Sequence, residues 1–104
     1  MNRVDLQIEL ANTIEAVKIA VKSRKGARAA VRVGVYKVGD RVFASLDGET
    51  LNEIKGEQVI DVPAGEVSKY MRPDAALVMS YEFKDIPVEA LKRMLEMFKE
   101  VAAI

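Results

Sequence analysis

Between Ala29 and Leu46 the chain reads AAVRVGVYKVGDRVFASL, and this stretch limits the fold more than any other. Val31, Val33 and Val35 alternate with Arg32, Gly34 and Tyr36. Beyond Gly39-Asp40, Val42, Ala44 and Leu46 resume the alternation. β-Branched residues at period two on both sides of a Gly-Asp pair specify a β-hairpin with one apolar face. On this reading the odd-numbered valines turn inward. Arg28, Arg32 and Tyr36 share the opposite parity and turn outward together. The other elements must then supply apolar surface to cover the hairpin.

The segment before it, VDLQIELANTIEAVKIAVKS, supports two readings. Val4, Leu6, Ile8 and Leu10 alternate with polar residues, as in a strand. Leu6, Leu10, Ile14, Val17 and Val21 also form a stripe at three- and four-residue spacing, as on a helix. Asn2 with Asp5, and Asn12 with Glu15, each approximate a capping box, so a strand over 3–11 followed by a helix stays open. The longer pattern predicts one helix over about residues 4–24, ended by Gly26 just past the basic pair Arg24-Lys25.

After the hairpin, Asp47-Gly48 and Lys55-Gly56-Glu57 are further turn signals. They bound a weak strand over 49–54 and another over 58–62, which extends the hairpin into an antiparallel meander. Residues 64–71 have room for two helical turns with Val67, Tyr70 and Met71 on one side. Residues 75–84, centred on ALVMSY, read as a further, central strand covered on both faces. Asp85 and Pro87 then suit the start of a C-terminal helix. Val88, Leu91, Leu95, Phe98 and Ala102 form its stripe, and Met94, Met97 and Val101 widen it beyond what one sheet face needs. That Met-rich edge is the expected dimer interface.

The chain has 104 residues and no linker-like tract, so a single domain over 1–104 is expected. Half of the residues are apolar, yet no run approaches the roughly 18–20 needed to cross a bilayer. Asp5 and Glu9 interrupt any signal-like core. The expectation is a cytoplasmic chain without a membrane partner. Cysteine and histidine are absent, which excludes disulfides, thiolate chemistry, Cys/His zinc sites and Ser-His triads. Few Asn and Gln stand beside 32 charged residues, a bias that resembles thermophile composition.

Charge is segregated although it sums to zero. From Ala16 to Gly39 there is no acid and there are seven bases. Residues 1–39 hold eight bases against three acids, a net +5, and residues 40–104 hold eight against thirteen, a net −5. Such asymmetry points to an anionic partner or to complementary faces meeting in an oligomer. Lys18, Lys22 and Lys25 share a helical face. With the outward Arg28, Arg32 and Tyr36 they make a candidate nucleic-acid-binding surface, in which Arg32 or Tyr36 would stack on bases.

Two metal patterns are weaker. Pro73-Asp74 with Glu82-Phe83-Lys84 has the letters of a metal-dependent nuclease signature. If 75–84 is a straight strand, however, its carboxylates stand about 26 Å apart, too far to share an ion. Glu49, Glu53, Glu57 and Asp61 recur every fourth residue and would share a face only if 49–61 were a helix. The Gly48 and Gly56 turns argue for strands instead. No catalytic residue, metal or cofactor is assigned.

The sequence therefore predicts an α+β domain. Its parts are an N-terminal helix, an antiparallel meander, a short middle helix, a further central strand and a C-terminal helix. The function expected is that of a non-enzymatic, homodimeric binding module with a basic surface for nucleic acid or another polyanion. The alternative is an assembly subunit in which the basic half of one chain meets the acidic half of another; a carboxylate-metal nuclease is a remote third.

Overall fold

A computed structural model describes residues 2–71 and 86–103. Helix α1 (Arg3–Lys25) and helix α2 (Ala27–Arg32) precede four strands: β1 (Gly34–Val38), β2 (Arg41–Ser45), β3 (Asn52–Lys55) and β4 (Gln58–Asp61). A 3-10 turn (Ala64–Glu66) leads into the short helix α3 (Val67–Tyr70), and α4 (Val88–Ala102) closes the chain. The strands form one antiparallel sheet in the order β1-β2-β3-β4. The further strand expected over 75–84, the Asp74/Glu82 pair and Asp85 lie outside the described residues.

The N-terminal ambiguity resolves as a single helix. Asn2 caps it, its side-chain oxygen accepting from the Asp5 N–H at 2.9 Å. Leu6, Leu10, Ile14, Val17 and Val21 are its buried residues, so the helical stripe is the one that packs. The competing alternation has another cause: Val4 and Ile8 are apolar but point into solvent, 62% and 55% exposed. At Gly26 (φ 97) the chain turns a corner, the Gly26 N–H donating to the Lys22 carbonyl at 3.0 Å.

The strand expected from Ala29 begins instead at Gly34. Residues 27–32 are helical because Ala27, Ala29 and Ala30 with two arginines favour helix, and no β-sheet neighbour pairs with them. Val31 is therefore exposed, while Val33 and Val35 are buried as expected. Arg28 and Arg32 sit on α2 and do not share a strand face with Tyr36. The Gly39-Asp40 turn brings Val38 opposite Arg41 in the predicted hairpin.

Both sheet faces are covered. Val35, Val42, Ala44 and Ile54 join the stripes of α1 and α4 in the main core, with Leu91, Met94, Leu95, Met97 and Phe98. On the other face Tyr36, Phe43, Leu51 and Met71 pack with Val62, Val67 and Tyr70, so α3 covers the outer side. The expected dimer edge on α4 is corrected here. Met94 and Met97 are buried inside their own chain and Val101 is half-buried, because α1 lies along α4 and needs a wide stripe opposite it. Lys99 of α4 pairs with Glu9 of α1 over the rim of that contact. No helix among the described residues is long and apolar enough to cross a membrane.

The loop between β2 and β3 holds α2 in place. Ser45, fully buried, donates to the Thr50 carbonyl at 2.8 Å and accepts from the Gly48 N–H at 3.0 Å. Asp47 accepts from the N–H groups of Glu49 and Thr50, closing a tight Asx-type turn. Gly48 (φ 78) then lies so close to α2 that a β-carbon there would stand 1.9 Å from the Ala29 carbonyl oxygen. Gly56 has a similar φ of 61 but open space around it. Gly48→Ala should lower the unfolding free energy by about 2–4 kcal/mol, combining left-handed strain and overpacking. Gly56→Ala should cost only about 1–2 kcal/mol, from the strain alone. Urea unfolding of the two variants checks this, and equal losses would mean that the Gly48–Ala29 approach does not constrain the fold.

Candidate polyanion-binding surface

The corner at Gly26 sets α2 against the C-terminal half of α1, leaving an open groove lined by Lys18, Ile19, Lys22, Ala27, Ala30 and Val31. Its floor is aliphatic and, among the described residues, the charged ones that line it are Lys18 and Lys22. On α2, Arg28 and Arg32 stand one turn apart on the side that continues outward from Val31, since helical spacing places them within about 100° of it. Ile19 and Val31 are 73% and 66% exposed, so the groove presents apolar as well as basic surface.

The six residues expected in a basic site do not form one set. Lys22, Arg28 and Arg32 are exposed and form no ion pair with any described carboxylate. Lys18 approaches Glu15 on the next turn at 3.5 Å, a long exposed contact that restrains it little. Lys25 serves the fold instead. It meets Glu49 at 2.7 Å and Asp47 at 3.8 Å, tying the end of α1 to the loop that carries Gly48. The bond to Glu49 raises its pKa above the usual lysine value. Tyr36 is a correction: its ring is buried, and its hydroxyl donates to the Arg32 carbonyl at 2.7 Å. Because 27–32 is helical, the parity that put Tyr36 beside the arginines does not apply. Burial raises its pKa against the opposing effect of Arg32. Tyr36 thus locks the α2–β1 junction and offers no stacking surface.

Ile19 and Val31, on the same surface, were not read as site residues from the sequence. The available signal was that Val4, Ile8 and Ile19 fall off the core stripe of α1 and so have no buried neighbour to explain them.

The acidic series disperses across the sheet. Glu49 holds Lys25, Asp61 accepts from the Asn52 amide at 2.6 Å, Glu57 is in the exposed β3–β4 turn, and Glu53 is buried on the outer face. Among the described residues no three His, Cys, Asp or Glu side chains form a metal-ligand group.

Glu53 belongs to a different cluster. Arg41 donates to both of its carboxylate oxygens, each at 2.9 Å, and to the Tyr70 hydroxyl at 2.9 Å. The guanidinium also lies over the rings of Phe43 and Tyr70, 5.1 and 4.7 Å from their centroids, and those rings stack at 4.4 Å. A planar fork meeting a carboxylate while stacked on aromatics is a geometry that only arginine provides. The cluster saturates itself and joins α3 to the sheet, so it is structural.

The pH dependence of folding follows from two carboxylates, Glu53 of this cluster and Asp47 of the β2–β3 loop. The bond from Arg41 lowers the Glu53 pKa more than desolvation raises it. Burial works to raise that of Asp47, but the Thr50 and Glu49 N–H groups, the Thr50 hydroxyl and Lys25 together bring it below the usual value. The folded chain therefore binds fewer protons than the unfolded one on the acid side. The stability these groups contribute is present above the ordinary carboxylate pKa of about 4 and is lost as pH falls through the depressed folded values. Urea midpoints should hold steady from neutrality to about pH 5 and drop steeply below about pH 4. Glu53→Gln should flatten that acid limb while lowering the neutral-pH midpoint; an unchanged acid limb would show that Glu53 does not set it.

No protein-family model, curated protein or solved structure matches the chain.

Proposed function

We propose that the protein is a non-enzymatic binding module that holds a nucleic-acid backbone on the α1–α2 surface through Lys22, Arg28 and Arg32, with Lys18 beside them. The observation that carries this reading is the division of labour among the cations of the acid-free stretch. Lys25 is consumed by Glu49 and Asp47, whereas Lys22, Arg28 and Arg32 stay exposed without a carboxylate among the described residues. Charges kept unpaired on a rigid corner raise the local potential and attract a polyanion. The net +5 of residues 1–39 acts in the same direction.

Burial of Tyr36 narrows the expected mode of binding. With no exposed ring at this surface among the described residues, base stacking falls to the Arg32 guanidinium, and recognition rests mainly on phosphate contacts, which do not depend on sequence. Arg28 and Arg32 suit this role, because a guanidinium can meet two phosphate oxygens at once.

The test is fluorescence anisotropy with labelled duplex DNA and single-stranded RNA of mixed sequence over a range of salt. For three phosphate contacts on duplex DNA, log K should fall against log salt with a slope of about −3. Arg28→Gln should reduce that slope by about one and weaken all sequences alike. Arg28→Glu with Arg32→Glu should abolish binding. Affinity that does not change with salt, or that survives the double reversal, would overturn the proposal.

A further inference from the structure

The two most exposed large aliphatic side chains among the described residues are Ile19, at 73%, and Val31, at 66%. They come from different helices, yet both line the α1–α2 groove. With Ala27 and Ala30 they give it an apolar floor, and it encloses about 380 Å³, within the range of small-ligand sites. Lys18 and Lys22 stand on its α1 wall. On the other wall Arg28 follows about 60° round α2 from Val31. Both walls are fixed without a ligand, α1 by the core and α2 by the Gly48–Ala29 approach and the Tyr36–Arg32 bond. Phosphate contacts account for the cations but not for the aliphatic floor between them.

We propose, resting on the polyanion reading above, that the groove takes one unpaired base of a single-stranded nucleic acid. The phosphates flanking that base lie against Lys18 and Lys22 on one wall and Arg28 on the other. The polyanion is thereby narrowed to single strands.

The occupant must be anionic at both rims and flat and apolar between them. A duplex does not meet this, because its base faces are stacked inside and reach the groove only after unpairing. A single strand offers an open base face beside every phosphate, and bases splayed out in this way are what proteins bind in unpaired segments. Apolar side chains can hold such a base, with less contact than an aromatic ring gives. The side chains of Ile19 and Val31 have no donor or acceptor, so the floor selects strand state and not base identity. Charge alone leads to the opposite preference, since duplex DNA carries the denser phosphate array and releases more counterions per contact.

The test compares three labelled DNAs of one length by fluorescence anisotropy: a mixed-sequence single strand, the same sequence as a duplex, and a strand with abasic sugars throughout. At physiological ionic strength the natural single strand should bind tighter than the duplex. It should also bind about fivefold tighter than the abasic strand, the low end of what one stacked base contributes. For three phosphate contacts its salt slope should be about −2. Ile19→Ser with Val31→Ser should remove the fivefold advantage and leave the salt slope, duplex binding and helical circular dichroism unchanged, since both residues are exposed. A preference for the duplex, equal affinity for natural and abasic strands, or a Ser pair without effect would each overturn the proposal. If the salt slope and the dependence on Arg28 persisted in such a case, the phosphate surface would stand without the groove. Binding that ignored salt would remove both.

Discussion

The Gly48 backbone lies against the Ala29 carbonyl with no room for a side chain between them. This one approach decides where α2 sits. A loop of the meander is pressed onto a six-residue helix that has few other means of staying in place, since isolated helices of that length do not persist in water. Ser45 and Asp47 shape the loop from within, and Lys25 clamps it from the end of α1. Tyr36 fixes the other end of α2 by bonding to the Arg32 carbonyl. The corner at Gly26 is thus held from three sides. A groove bounded by two helices keeps its shape because both of its walls are tied to the sheet.

The same economy explains the two kinds of charge. Where a charge joins elements it is matched: Lys25 to the loop, Arg41 to Glu53 and Tyr70, Lys99 to Glu9. The Arg41–Glu53 pair sits at the margin of an aromatic layer, where a lone carboxylate would be costly and the bidentate fork offsets that cost. On α2, Arg28 and Arg32 pair with no carboxylate among the described residues. Exposed cations of this kind contribute little to stability and lower it slightly through mutual repulsion, so the matched charges, and not these two, hold the described elements together.

Much of the architecture is legible in the residues because local signals and burial agree. The Leu6–Val21 stripe, the Gly39-Asp40 and Gly56 turns, and the Leu91–Phe98 face each satisfy a periodicity and a packing need together. The site is less legible, and for a definite reason. Residues 29–32 read as strand by alternation but fold as part of helix α2, because alanine-rich turns gain from helix and no described strand pairs with them. That single difference turns Val31 outward and takes the arginines off the strand, while Tyr36 is withdrawn by the outer sheet face, where it packs with Phe43, Leu51 and Met71. Met94 and Met97 misled in the opposite way. A wide apolar face on α4 signals a partner, but the partner is α1 of the same chain, and periodicity alone does not distinguish the two.

The alternation of Val4, Leu6, Ile8 and Leu10 shows how one pattern can serve two surfaces. On a helix those positions divide between opposite sides, and Leu6 and Leu10 go to the core while Val4 and Ile8 go to solvent. What reads as strand periodicity is a helix with its core stripe on one side and two exposed aliphatic residues on the other. Alternation over four positions fits a strand and a helix equally, and it is the longer stripe through Ile14, Val17 and Val21 that separates them, because only a helix brings those residues onto the same buried side as Leu6 and Leu10.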